Sequence, residues 1–310
     1  MMIFLVVVGH LGYCDWGLSL NKVIYAFHMP VFVFLSGYFS SQNTARGKQV
    51  KCLCETLKIY FIAQFFLFLL GVGMEYATSL HLHQPFEAKT LSWNILFYPG
   101  FLWYILSLVY WRCSIWTLFK KMNDAAMVGL SFLLALGAGF IPLDTVFAFQ
   151  QTFCFFPYFA MGLVFRKHML MEKLVKLPYI YALVALFLCF GVAKYFLPMY
   201  MPKTHFMEWS DAGYRALQTL CGLCLCLLVI RVSRVGFIDR FARFGGYTLW
   251  IYIGHVFLII IGNRVFHYFG VSLNLFTAFA LAAVYCSVLI FVIGIWHKLI
   301  SVYSSTRSSI

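Results

Sequence analysis

Two histidines in consecutive apolar segments are the residues of this sequence best suited to chemistry. His10 closes the run MMIFLVVVGH, and His28 lies two residues before Pro30 in YAFHMPVFVFLSGY. An imidazole in such an apolar segment is costly to insert into a bilayer, so its presence indicates a function. Histidine also exchanges protons near neutral pH. The pair therefore predicts a shared proton-transfer site; the alternative is two neutral rings bonded to backbone carbonyls.

The composition indicates which elements must position these rings. Of the 310 residues, 63% are hydrophobic and 11% are charged, and the mean hydropathy is +0.87. A soluble domain carries roughly 25% charged residues. Apolar runs near the ~20 residues needed to cross a bilayer recur along the chain, without the alternation of a β-barrel. We therefore predict an all-α fold, a polytopic membrane helical bundle that forms one domain over residues 1–310.

Ten spanning segments are predicted, and the first is so short that we expect its helix to be truncated at the N-terminus. Alternate connections carry seventeen Lys and Arg residues on one side of the membrane and six on the other. This excess marks the first side as cytoplasmic, so both termini are expected in the cytoplasm. The predicted segments are residues 1–13, 23–41, 57–74, 97–118, 125–142, 146–165, 179–197, 213–231, 246–263 and 273–296.

This orientation places both histidines at a similar depth in neighbouring helices. Counted from the predicted outer ends, His10 and His28 lie roughly 5–8 Å below the outer surface. Pro30 has no N–H to donate to the carbonyl of Ala26, which predicts a kink near His28. A carbonyl freed at this depth is tolerated only where it is buried in protein or lines a cavity.

Further residues are weaker candidates for binding substrate or donor. His255 is a lone histidine in LWIYIGHVFLI, and a buried structural role explains it equally well. Trp103 lies near the outer interface, where an aromatic belt accounts for it. Arg46, Lys48 and Lys51 directly follow the second segment, where they would contact anionic membrane lipid or dock a phosphorylated donor.

Two other functions are disfavoured by the sequence. The net charge of +13 comes from residues spread over short connections, as membrane topology requires, so no nucleic-acid binding is predicted. Cys221, Cys224 and Cys226 resemble part of a metal-binding pattern, but no histidine or carboxylate accompanies them in that segment. We interpret them as small buried hydrophobic residues and predict no metal site.

Several of these motifs resemble a known family. The runs VVVGH (residues 6–10) and IYAFHMPVFVFLSGY (residues 24–38) are similar to the start of the acyltransferase 3 family. They resemble more narrowly the branch related to fucose 4-O-acetylases and other membrane sugar O-acetyltransferases. Residues 102–104, 156–159 and 251–255 add weaker similarities, so the resemblance extends over nearly the whole chain.

The resemblance implies a multi-pass enzyme of the plasma (inner) membrane. Such an enzyme moves an acetyl or short acyl group from acetyl-CoA or another acyl-CoA, used as co-substrate, to a hydroxyl of a glycan or lipid-linked sugar. His10 matches the family histidine for which a catalytic role is proposed, and His28 matches the histidine of the second span. Ser36, in the same motif, is a candidate for substrate or donor binding. The family's upstream arginine would precede Met1, so we expect either a missing segment or an inactive member.

Two other functions remain open from the sequence. Interior polar residues and a kinked helix also suit a transporter or flippase for a glycan or another hydrophilic solute. A catalytically inactive membrane partner in glycan assembly is the second alternative. Transport would proceed without acyl-CoA, whereas the enzyme would leave an ester on the glycan.

Overall fold

The chain is helical throughout its described part. The computed structural model describes residues 2–11, 17–83, 85, 100–142, 146–176, 178–195, 206, 208–232, 240–270 and 275–307, and these contain no β-strand. Short 3-10 segments precede three of the helices, at Gly100–Leu102, Val146–Ala148 and Arg240–Tyr247. The helices are α1 (Met2–His10), α2 (Gly17–Phe39), α3 (Arg46–Leu82), α4 (Trp103–Trp116), α5 (Asp124–Gly137), α6 (Phe149–Lys167), α7 (Leu170–Lys176), α8 (Tyr179–Tyr195), α9 (Trp209–Val232), α10 (Thr248–Tyr268) and α11 (Leu275–Arg307).

Each predicted segment overlaps one of these helices, which confirms the all-helical class. The short helix α7 was not predicted. The ends of four predicted segments lie outside the described residues, namely 1 and 12–13, 97–99, 196–197, and 273–274. The helix α2 begins at Gly17, before the predicted start of the second spanning segment at residue 23. The helical hydrogen bonds continue through the polar residues between Gly17 and residue 23, which a boundary chosen by hydropathy leaves out. His28 lies roughly 16 Å along α2 from the start of the helix, and its depth below the membrane surface stays a prediction.

The exposed surface of the bundle is that of a membrane protein. Within the described residues, four helical stretches are long and apolar enough to cross a membrane, judged by length and composition. Large hydrophobic side chains on α3 and α11 point outward; Phe65 is 57% exposed and Phe291 is 69% exposed. Apolar patches of this extent are unfavourable in water but not against lipid chains. The count of ten spans and the location of the termini stay predictions. The four stretches are Arg46–His81, Trp209–Val232, Phe244–Phe266 and Phe276–Ile295.

Two glycines bring α2 and α6 into close contact. A Cβ at Gly37 would overlap the backbone carbonyl oxygen of Phe159, and a Cβ at Gly162 would overlap that of Phe34. Small residues at a helix interface let the backbones of membrane helices approach closely. α2 makes its most extensive contact with α6, so this reciprocal pair sets the position of the helix that carries His28.

A second close approach joins α2 to α9. α2 continues as a helix through Pro30, which leaves the carbonyl of Ala26 without its usual helical donor. This carbonyl faces Gly222 of α9, where a Cβ would lie 3.0 Å from the oxygen. Both Ala26 and Gly222 are buried. The freed carbonyl is thus enclosed in protein, and α2 is held between α6 and α9.

Candidate active site

Three imidazole rings from three helices converge in the bundle. The ring of His10, at the end of α1, has its centroid 6.3 Å from that of His28 in α2 and 5.6 Å from that of His255 in α10. Tyr25 completes the cluster, with its ring 5.0 Å from His28 and 6.0 Å from His10. Both rings that the sequence singled out first therefore lie side by side, and His255 joins them.

Backbone hydrogen bonds orient two of these rings in the same way. Nδ1 of His28 lies 2.7 Å from the carbonyl oxygen of Ile24, and Nδ1 of His255 lies 3.0 Å from that of Ile251. A carbonyl only accepts hydrogen bonds, so Nδ1 carries the proton in each ring, and the lone pair of a neutral ring is on Nε2. The predicted alternative, a ring bonded to a backbone carbonyl, therefore holds for Nδ1 of His28 and of His255, and it leaves Nε2 of these two rings available.

His255 presents a buried nitrogen that is not satisfied by protein. The residue is 1% exposed, and its Nε2 has no hydrogen-bond partner among the described residues. A buried polar atom without a partner costs free energy and calls for an explanation. Its position beside His10 makes a substrate group or a shared proton the natural partner.

His10 and Tyr25 form the accessible side of the cluster. Both are partly exposed, whereas His28 and His255 are buried. The Tyr25 hydroxyl donates to the carbonyl oxygen of Gly9 at 3.0 Å and lies 3.5 Å from Nδ1 of His10. Tyr25 was not predicted as a site residue, although its position three residues before His28 puts both on one helix face.

Ser36 lies outside the histidine cluster but is linked to it by aromatic rings. Its hydroxyl donates to the carbonyl oxygen of Phe32 at 2.8 Å and lies 2.5 Å from the hydroxyl of Tyr104. The Tyr104 ring is 5.4 Å from that of Tyr252, which in turn is 5.8 Å from His255. Ser36 thus has a hydrogen-bonding role between α2 and α4 that requires no ligand.

The remaining predicted residues do not meet the histidines. Trp103 stacks on Phe155 of α6, with ring centroids 4.8 Å apart. Arg46, Lys48 and Lys51 are exposed on the first turns of α3, where Lys51 lies 3.8 Å from Glu55. An exposed pair of this kind contributes little stability.

Comparison with known proteins identifies the family. The acyltransferase 3 family, whose model is described as an acyltransferase domain, matches residues 1–295, which include all three clustered histidines and their helices. The chain belongs to this acyltransferase family. No curated protein and no solved structure matches the chain.

The membrane acyltransferase therefore has a cluster suited to proton transfer. His28 and His255 hold their basic Nε2 atoms in fixed rings, and His10 adds a ring that is only partly buried. In the described part of the chain, no group of three His, Cys, Asp or Glu side chains is arranged to hold a metal ion. The chemistry that this arrangement supports is removal of a proton from an acceptor group during acyl transfer.

Proposed function

We propose that this acyltransferase moves an acetyl or other short acyl group from acyl-CoA to a hydroxyl of a sugar in a cell-surface or exported glycan, at the plasma (inner) membrane. The observation that carries the proposal is the convergence of His10, His28 and His255 from three helices. The acceptor class rests on the resemblance of residues 6–10 and 24–38 to membrane sugar O-acetyltransferases related to fucose 4-O-acetylases.

In this mechanism His10 is the general base. It removes the proton of the acceptor hydroxyl while that oxygen attacks the thioester carbonyl of acyl-CoA. The new carbon–oxygen bond forms, the carbon–sulfur bond breaks, and the departing thiolate takes up the proton from His10. Positioned proton transfer of this kind typically accelerates a reaction by about 10²–10⁴-fold.

The two buried rings, His28 and His255, assist His10 in proton transfer. Because Nδ1 is bonded to the backbone in both, His28 and His255 each offer Nε2 to share the proton that His10 takes up. Tyr25 limits the rotation of the His10 ring through its edge contact. A covalent acyl-histidine relay through His10 would use the same arrangement.

The proposal is tested with membranes that contain the full chain. They are incubated with acetyl-CoA labelled in the acetyl group and with candidate surface glycans, and the glycans are then examined for alkali-labile label. Label that requires the protein supports the proposal. Movement of glycan across the bilayer without acyl-CoA would instead identify a transporter or flippase. Absence of both activities, with the protein folded in the membrane, would identify an inactive partner in glycan assembly.

A further inference from the structure

A pocket of about 350 Å³ opens where three connections of the bundle meet. Residues 40–43 after α2, residues 120–122 between α4 and α5, and the last turns of α6 form most of its lining. These connections are widely separated in sequence, and all belong to the predicted cytoplasmic side. The volume lies within the range of about 300–1,000 Å³ that is typical of small-molecule sites.

The pocket has a basic rim above a base that is closed by buried residues. Met127 and Leu163 line it from α5 and α6, and both are buried. Lys120, Lys121 and Arg166 also line it and are exposed to solvent. Several cations around a pocket of this size suit a ligand that carries phosphate groups.

Contacts with the core hold the lysine-bearing turn in place. Phe119, next to Lys120, is buried and has its ring 5.1 Å from that of Phe156 in α6. The side-chain amide of Gln42 donates to the carbonyl oxygen of Phe119 at 3.2 Å. Lys120 and Lys121 therefore project from an anchored turn rather than from a loose loop.

The one carboxylate in the pocket lining is already engaged by cations. Asp124 accepts hydrogen bonds from Nζ of Lys167 at 2.9 Å and from Nε2 of His168 at 2.8 Å. Lys120 and Lys121 form no ion pair among the described residues. Arg166 donates to the carbonyl oxygen of Tyr38 at 3.2 Å, which is a neutral partner. The rim keeps a net positive charge for an anionic ligand.

We propose that this pocket binds the 3′-phosphoadenosine diphosphate end of acyl-CoA, with its phosphates on Lys120, Lys121 and Arg166. The assignment rests on the proposed function, because it takes acyl-CoA as the donor. Ser40 of the pocket lining lies twelve residues beyond His28, roughly 18 Å along the direction of α2. The diphosphate and pantetheine arm of CoA can extend over such a distance. Binding of the donor phosphates would then not require Arg46, Lys48 and Lys51.

The direct test measures CoA binding by the purified full chain in nanodiscs of neutral phosphatidylcholine, by isothermal titration calorimetry. The variant Lys120→Gln/Lys121→Gln should raise the Kd for CoA by about fivefold or more, because two phosphate-binding charges are lost. The matched control Lys173→Gln/Lys176→Gln removes the same charge from exposed positions on α7 and should change the Kd by no more than about twofold. Equal thermal unfolding temperatures show that both variants are folded.

A second ligand, dephospho-CoA, tests whether Lys120 and Lys121 bind the phosphates of CoA. Dephospho-CoA lacks the 3′-phosphate, so it should bind the unchanged protein more weakly than CoA, with a smaller difference in the Lys120→Gln/Lys121→Gln variant. An unchanged Kd for CoA in that variant would overturn the assignment, as would an equal loss in the control. A loss found only in Lys48→Gln/Lys51→Gln would place the phosphates on α3 instead.

Anionic lipid is the other source of phosphate at this surface, and the same variants distinguish it. The Lys120→Gln/Lys121→Gln substitution could lower the amount of phosphatidylglycerol retained in mixed nanodiscs without changing the Kd for CoA. In that case the pocket is a lipid site and the assignment fails. CoA binding is measured without an acceptor sugar, so the pocket assignment can be rejected independently of the proposed function. Pocket-dependent CoA binding without acyl transfer would refute only the proposed function, whereas acyl transfer with pocket-independent CoA binding would refute only the pocket assignment.

Discussion

The rings of His10 and His255 lie 5.6 Å apart, although one ends the first helix and the other lies within α10. α1 contacts α2 on one side and α10 and α11 on the other, and Phe4 meets Phe279 of α11 with ring centroids 5.7 Å apart. The two ends of the chain therefore close around one cluster of imidazoles. The predictions below test what that cluster does and what positions it.

The first prediction concerns His10. His10→Ala should lower kcat for glycan acetylation by about 10²-fold or more, because the general base is lost. The amount of protein in the membrane should not change, since the side chain is only partly buried. The measurement is transfer of labelled acetyl, with exposed His81→Ala as the control. Retained transfer in the His10 variant would remove His10 from the mechanism.

The second prediction separates a chemical role of His255 from a structural one. In His255→Asn, the side-chain amide can still donate to the carbonyl oxygen of Ile251, but the Nε2 position is empty. We expect kcat to fall roughly tenfold or more, with little change in KM or in the unfolding temperature. His255→Gln, which places a polar atom near the Nε2 position, should recover part of the activity. Full activity in His255→Asn would show that the ring only fills space.

The third prediction assigns Ser36 to structure. Ser36→Ala and Tyr104→Phe should each lower the free energy of unfolding by about 1 kcal/mol, because each removes the hydrogen bond between α2 and α4. The double variant should be less destabilised than the sum of the two, since one interaction is lost only once. Denaturation in detergent measures these differences. A raised KM in Ser36→Ala without loss of stability would restore the substrate-binding role expected from the sequence.

The fourth prediction tests the close packing of α2 on α6. Gly162→Ala should destabilise the protein by about 1–3 kcal/mol, because its methyl group would overlap the carbonyl of Phe34 and force the helices apart. Gly129→Ala on α5 is the matched control, since no atom lies within 4 Å of the added Cβ. That control should be neutral or slightly stabilising. Similar unfolding temperatures for both variants would contradict the packing described above.

The fifth prediction concerns Asp124, which precedes the predicted span 125–142. Partial burial raises the pKa of Asp124, but hydrogen bonds and positive charge from Lys167 and His168 lower it more, so the pKa lies below its ordinary value. The carboxylate therefore adds stability above the unfolded-state pKa of about 3.9, and this contribution is lost as the pH falls through the folded-state value. Asp124→Asn should lower stability at pH 7 by up to about 1 kcal/mol, since the ion pairs are partly exposed.

The measurement for Asp124 is the unfolding temperature of both proteins over a range of pH. The difference between them should persist from pH 7 to pH 5, begin to shrink below about pH 4, and disappear once the pH is below the folded-state pKa. A difference that does not depend on pH would show that the ion pairs with Lys167 and His168 do not cause the stabilisation.

Much of the helical architecture was predictable because apolar runs of membrane length have few alternatives. The boundaries were less predictable, since polar residues after Gly17 continue α2 through backbone hydrogen bonds that hydropathy does not detect. His10 and His28 stood out because a polar ring in an apolar segment needs a reason. Hydropathy does not reveal which way a helix faces, so the roles of Ser36, Trp103 and His255 stayed open.

The basic pocket shows what depends on the tertiary structure. Lys120 and Lys121 lie in the connection after α4, and Arg166 lies in the last turn of α6. They meet because α2, α4 and α6 end, and α5 begins, at the same side of the bundle. The sequence by itself determined that the chain is a helical membrane protein with costly imidazoles in apolar segments, because that follows from hydropathy and residue type. Only the tertiary structure decided which imidazoles meet, since the facing of each helix is set by contacts such as those of Gly37 and Gly162.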